Sequence, residues 1–153
     1  MKIYTLEAEQ LLPITPERAW QFLSDPKNLA VITPPDMGFH ITGFDGKPMY
    51  PGQIITYTVK GLPFVPMTWV TEITHVKEGA YFVDEQRFGP YAMWHHKHHI
   101  EAVPGGVKMS DLIHYALPMG PLGSLAHSLF IKKRLGQIFS FRERKLEALF
   151  GKL

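Results

Sequence analysis

The side chains best suited to chemistry lie in the stretch DEQRFGPYAMWHHKHHIE, residues 84 to 101, which holds four of the chain's eight histidines. Imidazoles can ligate a transition metal, move a proton near neutral pH, or fix a polar group by hydrogen bonding. The residues around them alternate as a β-strand does, so Trp94, His96, His98 and Ile100 share one face and His95, Lys97, His99 and Glu101 the other. Lysine and glutamate mark the second face as the wet one. His95 and His99 would stand roughly 13 Å apart there, too far to share an ion. His96 and His98, about 7 Å apart, point toward whatever the sheet covers.

The strand that follows places Val107, Met109, Asp111, Ile113, Tyr115 and Leu117 on one face. A hairpin turned about Gly105 and Gly106 sets Ile100 opposite Asp111, His98 opposite Ile113 and His96 opposite Tyr115. A carboxylate on such an apolar face is costly unless it is paired, and His98 is its natural diagonal partner. Two chemistries fit the group. His98 or His96, oriented by Asp111 with Tyr115 as proton donor, could serve acid and base catalysis; the same four residues could equally be a satisfied network that holds a ligand's head group. Asp84 and Gln86 share a face on the preceding strand, and the FGPY loop leaves open whether they or Glu85 join. Glu101 lies on the wrong face to complete a metal site, so an ion would need a further side chain converging from another strand. No metal and no other cofactor is expected.

The elements that must position these residues follow from periodicity and punctuation. Residues 2 to 12 alternate as a strand. Thr15 with Pro16 and Asp25 with Pro26 each read as an N-cap followed by proline in the first turn, predicting two short helices, the second ending at the TPP of 33 to 35. Six strands follow between Phe39 and Leu117, divided by turn signals at 45 to 52, 61 to 66, 77 to 79, 88 to 91 and 104 to 106. PMGPLG then introduces one long helix from about Leu122 to Phe150, with a kink expected at Gly136. Leu135, Ile138, Phe139, Phe141, Leu146 and Phe150 supply its packing stripe, and Lys132, Lys133, Arg134, Arg142, Arg144 and Lys145 read as its solvated face.

Composition bounds the function. One domain over residues 1 to 153, with 45% apolar residues, suffices for a core. A net charge of +2 with 20% charged residues is far from a nucleic-acid-binding balance, and no nucleic-acid partner is expected. The absence of cysteine removes thiol chemistry and suits a reducing compartment. The N-terminus lacks a signal peptide's apolar run, and no stretch is long enough to span a membrane, so a cytoplasmic location is expected.

The strings LAVITPP at 29 to 35, DEQRFGPYAMWHHKH at 84 to 98, MSDLIHYALPMGPLG at 109 to 123 and IFSFRERKL at 138 to 146 resemble the START-like helix-grip (SRPBCC) superfamily. That superfamily includes the birch-pollen allergen, lipid-transfer domains and polyketide cyclase/dehydratases; the likeness is to a bacterial ligand-binding, cyclase/dehydrase-like branch. The resemblance implies an α+β helix-grip fold, a curved seven-stranded antiparallel sheet enclosing a pocket with a long C-terminal helix. It also implies a small hydrophobic or amphipathic ligand in that pocket, with a cyclase/dehydratase- or hydrolase-type enzyme as the alternative. It carries over no catalytic set. The expected pocket residues are Trp69, Trp94, His96, His98, Met109, Asp111, Ile113 and Tyr115, with His98, His96, Asp111 and Tyr115 as the candidates for catalysis. The basic residues of the helix suit transient contact with an anionic membrane.

Overall fold

Proline-started, side-chain-capped turns open the helical part of the molecule as the sequence predicts. In this computed structural model, which describes residues 1–60 and 65–153, the Thr15 hydroxyl accepts from the Arg18 N–H at 3.2 Å and starts α1 (Pro16–Leu23). Asp25 accepts from the Lys27 N–H at 3.0 Å and starts α2 (Pro26–Val31), which a 3₁₀ turn at Pro35–Met37 follows. Both caps satisfy amides that a helix leaves without partners.

Among the described residues, seven strands form one antiparallel sheet. They are β1 (Ile3–Leu12), β2 (His40–Gly43), β3 (Gln53–Lys60), β4 (Pro66–Lys77), β5 (Tyr81–Phe88), β6 (Met93–Val103) and β7 (Gly106–Ala116), in the spatial order β1-β7-β6-β5-β4-β3-β2. Consecutive strands from β2 to β7 are neighbours, as short connections require, and β1 closes the edge against β7. The turn expected over 61 to 66 lies mostly outside the described residues.

The β6–β7 register differs from the expected one. His98 faces Asp111, His96 faces Ile113 and Trp94 faces Tyr115, two residues from the pairing drawn from a Gly105-Gly106 turn. Val103 pairs with Gly106, so the turn is Pro104-Gly105, with Gly105 at φ +83°. Gly106 is a strand residue, and it is glycine for a packing reason: a Cβ there would sit 2.1 Å from the Leu12 carbonyl oxygen.

The chain ends in α3 (Gly120–Ala126), a π-helical turn at His127–Ile131 and α4 (Lys132–Phe150), continuous in direction. The irregularity thus falls at 127 to 131 and not at Gly136, which α4 accommodates. Gly123 lets the helix approach the preceding loop, since a Cβ would lie 2.1 Å from the Pro118 carbonyl oxygen.

Helix and sheet pack unevenly, and that unevenness makes the site. At one end Leu146 joins Leu12, Ala19, Ile32, Ile100, Val107 and Met109 in a solid cluster, with Phe22 edge-on to Phe150 at 5.1 Å. Nearer its start, α4 packs Leu135 on Ile113 and Tyr115. A third cluster, Ile55, Ile73 and Phe82, is covered by Trp20 and Leu23 of α1. Between these three clusters the layers do not meet.

Candidate functional site

The gap is a cavity of about 190 Å³. Its sheet wall is built from Ile55, Tyr57 and Val59 of β3, Trp69, Thr71 and Ile73 of β4, Phe82 and Asp84 of β5, and Trp94, His96 and His98 of β6. Leu135, Ile138, Phe139 and Arg142 of α4 close it from above, and α1, α2 and the segment through Phe39 close the sides. Strand alternation explains the choice of every second residue on β3, β4 and β6.

Aromatic rings dominate one end. Trp69 and Trp94 meet edge to face at 5.4 Å, Tyr91 lies 4.8 Å from Trp94, and Tyr57 stacks on Trp69 at 6.0 Å. Gln86 pins the β5–β6 loop that carries Tyr91 by accepting from the Tyr91 N–H at 3.1 Å and donating to its carbonyl at 2.7 Å. The Trp69 indole and the Tyr57 hydroxyl share one internal partner here. The Trp69 indole donates to the Thr71 hydroxyl at 3.1 Å, and the Tyr57 hydroxyl lies 2.9 Å from that oxygen. Burial pushes the Tyr57 and Tyr91 hydroxyls well above their ordinary range, so both stay protonated.

The other end is charged. His98 Nε2 donates to Asp84 at 2.6 Å and His98 Nδ1 lies 3.1 Å from Asp111 Oδ1. Both ring nitrogens therefore face carboxylate oxygens, which can only accept, and the geometry calls for an imidazolium. Burial opposes that charge, but the hydrogen bonds to Asp111 and Asp84 overcome it and raise the His98 pKa above the ordinary histidine value. His96 Nε2 donates to Asp111 at 2.7 Å, while its Nδ1 lies 3.7 Å from Asp84, beyond hydrogen-bond range. Burial, and then the charge of His98, hold its pKa below the ordinary value, so it is the neutral member of the pair. Burial would push both carboxyls up, yet hydrogen bonds from His98 to Asp84, and from His96 and His98 to Asp111, hold them below the usual range. Arg142, 13% exposed in its side chain, brings Nη1 to 3.9 Å from Asp111 and lays its guanidinium on the Phe139 ring at 4.7 Å. Two carboxylates, one imidazolium and one guanidinium sum to zero, the balance a buried cluster needs.

The expected site residues divide on this geometry. Trp69, Trp94, His96 and His98 reach the cavity. Asp111 stands behind the two imidazoles, bordering a smaller hollow with Met109. Met109 and Ile113 are packed in the core, although they share a strand face with Asp111. Tyr115, 2% exposed, turns its hydroxyl to His127 Nε2 at 2.7 Å and so is not placed as a donor to the cavity. Asp84, facing His96 across β5 and β6, is the member left open by the sequence. Arg142 belongs to the site and not to the solvated face of the helix, and Leu135, Ile138 and Phe139 line the cavity as well as packing the helix. Only the sequence spacing Leu135, Ile138, Phe139, Arg142 signals this, since i, i+3, i+4, i+7 places all four on one helix stripe.

Asp84 also supplies the converging carboxylate that a metal site lacked on paper. One ligand atom each from Asp84, His96 and His98 lie within 4.8 Å of one another. In the geometry at hand, however, Asp84 and His98 are bonded directly, and the cluster is neutral without an ion.

No family model and no curated protein matches the sequence. Solved structures do match in fold. Ara h 8.0201 superposes with a TM-score of 0.65 at 19% identity, covering 96% of this chain and 99% of that one. The Chromobacterium violaceum protein CV1439 gives 0.70 at 14% identity, with 97% and 98% covered. The di-domain ARO/CYC BexL from the BE-7585A biosynthetic pathway gives 0.68 at 13% identity; 95% of this chain aligns with 50% of that one. The chain thus has the α+β helix-grip fold that these structures share, as the sequence resemblance implied. Among the described residues no helix is long and apolar enough to cross a membrane.

Proposed function

We propose that the protein binds, and carries, a small hydrophobic or amphipathic molecule in the cavity between sheet and C-terminal helix. The molecule's apolar body lies among Trp69, Trp94, Tyr57 and Tyr91, and its polar end meets His96, His98 and Arg142. The observation that carries this reading is the segregation within one cavity, with aromatic walls at one end and a neutral hydrogen-bonded charge cluster at the other. A volume of about 190 Å³ exceeds the ~150 Å³ void that takes up benzene and falls short of the ~300 Å³ where drug-sized sites begin. The expected ligand is therefore ring-sized, not a long-chain lipid. The reading takes the chain to act in the cytoplasm, which a sequence without cysteine suits.

The test uses the chain's own reporters. Trp69 and Trp94 line the cavity, whereas Trp20 packs against Phe82 outside it. Titration with indole and 2-naphthol, followed by the three indole N–H signals, is expected to shift those of Trp69 and Trp94 and leave that of Trp20. Native mass spectrometry of the purified protein is expected to show a retained small molecule. Uniform shifts of all three signals, or none, would sink the proposal.

A second reading has its own observation. A neutral His96, oriented through Nε2 by the half-buried Asp111, keeps Nδ1 outside any hydrogen bond on the cavity wall, a general-base arrangement for a cyclase/dehydratase- or hydrolase-type reaction. Under this reading His96→Gln abolishes turnover of the retained molecule even when that molecule is supplied at saturating concentration; equal turnover would refute it.

A further inference from the structure

The C-terminal helix carries a second surface that the cavity does not use. Met119, Leu122, Leu125, Leu129 and Phe130 are between 55% and 71% exposed, five large apolar side chains within twelve residues. Leu122 and Leu125 lie one turn apart on α3 and Leu129 follows in the π-helical turn, all three exposed, while Gly123, His127 and Leu135 are buried on the helix's inner side. Met1, also exposed, shares a surface hollow with Met119. Apolar surface gathered in this way marks an interaction site.

Charge identifies the occupant. No aspartate or glutamate occurs from Leu112 to Arg142. Lys132 and Lys133, two and three residues beyond Phe130, are exposed, and Lys2 borders the same hollow as Met1 and Met119. Among the described residues none of these three lysines forms an ion pair, and the neighbouring Arg134 is paired with Asp36 at 2.7 Å. A second copy of the chain would bring like charges together around the paired stripes. An anionic bilayer offers an apolar interior beneath a negative surface, matching both features.

We propose that residues 119 to 133, with Lys2, dock peripherally on an anionic phospholipid membrane. The five apolar side chains sink to the boundary between head groups and acyl chains, and the lysines meet the phosphates. The helix lies in the plane of the surface and does not span it. Docking stands independently of the cavity's ligand.

The full chain would be sedimented with vesicles of phosphatidylcholine alone and of phosphatidylcholine mixed with phosphatidylglycerol, at low and high salt. Binding is expected to the anionic vesicles only, weakening with salt. Leu125→Ser with Leu129→Ser, and separately Lys132→Glu with Lys133→Glu, are each expected to lower it about tenfold or more. Because all four residues are exposed, the unfolding midpoints should stay at the parent value, and circular dichroism would verify the fold. Failure to bind either vesicle, or binding that ignores the leucine pair, overturns the proposal. A concentration-dependent dimer abolished by the leucine pair, without vesicle binding, would assign the stripe to a second copy instead.

Discussion

Replacing Asp111 by asparagine removes the charge on which the cluster is balanced while keeping one oxygen in place. Asp111 Oδ1 holds His96 at 2.7 Å and His98 at 3.1 Å, and Arg142 lies 3.9 Å away. In the variant His98 and Arg142 would face Asp84 alone, leaving one buried positive charge without a counter-charge. Losing one partner of a buried pair costs about 3–5 kcal/mol, and the retained acceptor oxygen puts Asp111→Asn near the lower end, about 3 kcal/mol. For a chain of this size each kcal/mol moves the melting midpoint by about 2–4 °C, so a fall of about 6–12 °C is expected by calorimetry at pH 7. Urea unfolding of Asp111→Asn, His98→Gln and the double variant completes a cycle. The double variant should lose clearly less than the sum, because either change already disrupts the same pair. An Asp111→Asn loss below about 1 kcal/mol, the range of solvated surface pairs, would refute the reasoning. So would a gain in stability, which would mean that desolvation outweighs pairing.

Three further outcomes follow from the charge cluster and the helix packing. The folded-state pKa of His98 is raised above its ordinary value of about 6.5, so its contribution is complete below that pH and is lost as pH rises through the folded value. Asp111 has the opposite sign, contributing fully above about pH 4 and losing that as pH falls through its depressed value. The melting midpoint should therefore decline more steeply above pH 6.5 in the parent than in His98→Gln; parallel profiles would contradict a charged His98. Leu146→Ala, at a site 1% exposed and outside the cavity, should cost about 2–5 kcal/mol in urea unfolding yet leave indole affinity unchanged. Gly123→Ala, which ordinary helix propensity would favour by about 1 kcal/mol, should instead destabilise, because the new methyl meets the Pro118 carbonyl oxygen at 2.1 Å.

The element order, both helix caps and the facing of the strand histidines were legible in the sequence because each depends on local rules: proline and capping positions for the helices, two-residue alternation for the strands. The hairpin register was not, because two adjacent glycines offered two turns. Only the three-dimensional approach of Gly106 to the Leu12 carbonyl decides that the second glycine belongs to the strand. The resulting error was an even one. A two-residue slip keeps every side chain on its face, so His96, His98 and Asp111 still met, although their partners changed. Tyr115 shows the limit of such face arithmetic: it shares the face, but its hydroxyl is taken by His127 from a helix whose placement no strand pattern encodes. Arg142 was hidden for the opposite reason. It sits in a run of basic residues that reads as solvated, and only the stripe it shares with Leu135, Ile138 and Phe139 sets it apart.

The π-helical turn at His127–Ile131 acts as a phase adjuster. Such a turn amounts to one residue inserted into regular helix, and each residue of α-helix advances the side chains by about 100°. The outward leucine stripe of α3 and the inward stripe of α4 are therefore set at an angle that an unbroken helix of the same sequence would not give. Deleting one residue within this turn would restore an even spiral, but it would swing Leu135, Phe139 and Arg142 away from the sheet or the leucines into it. In this chain, helical regularity and the simultaneous orientation of both faces are mutually exclusive.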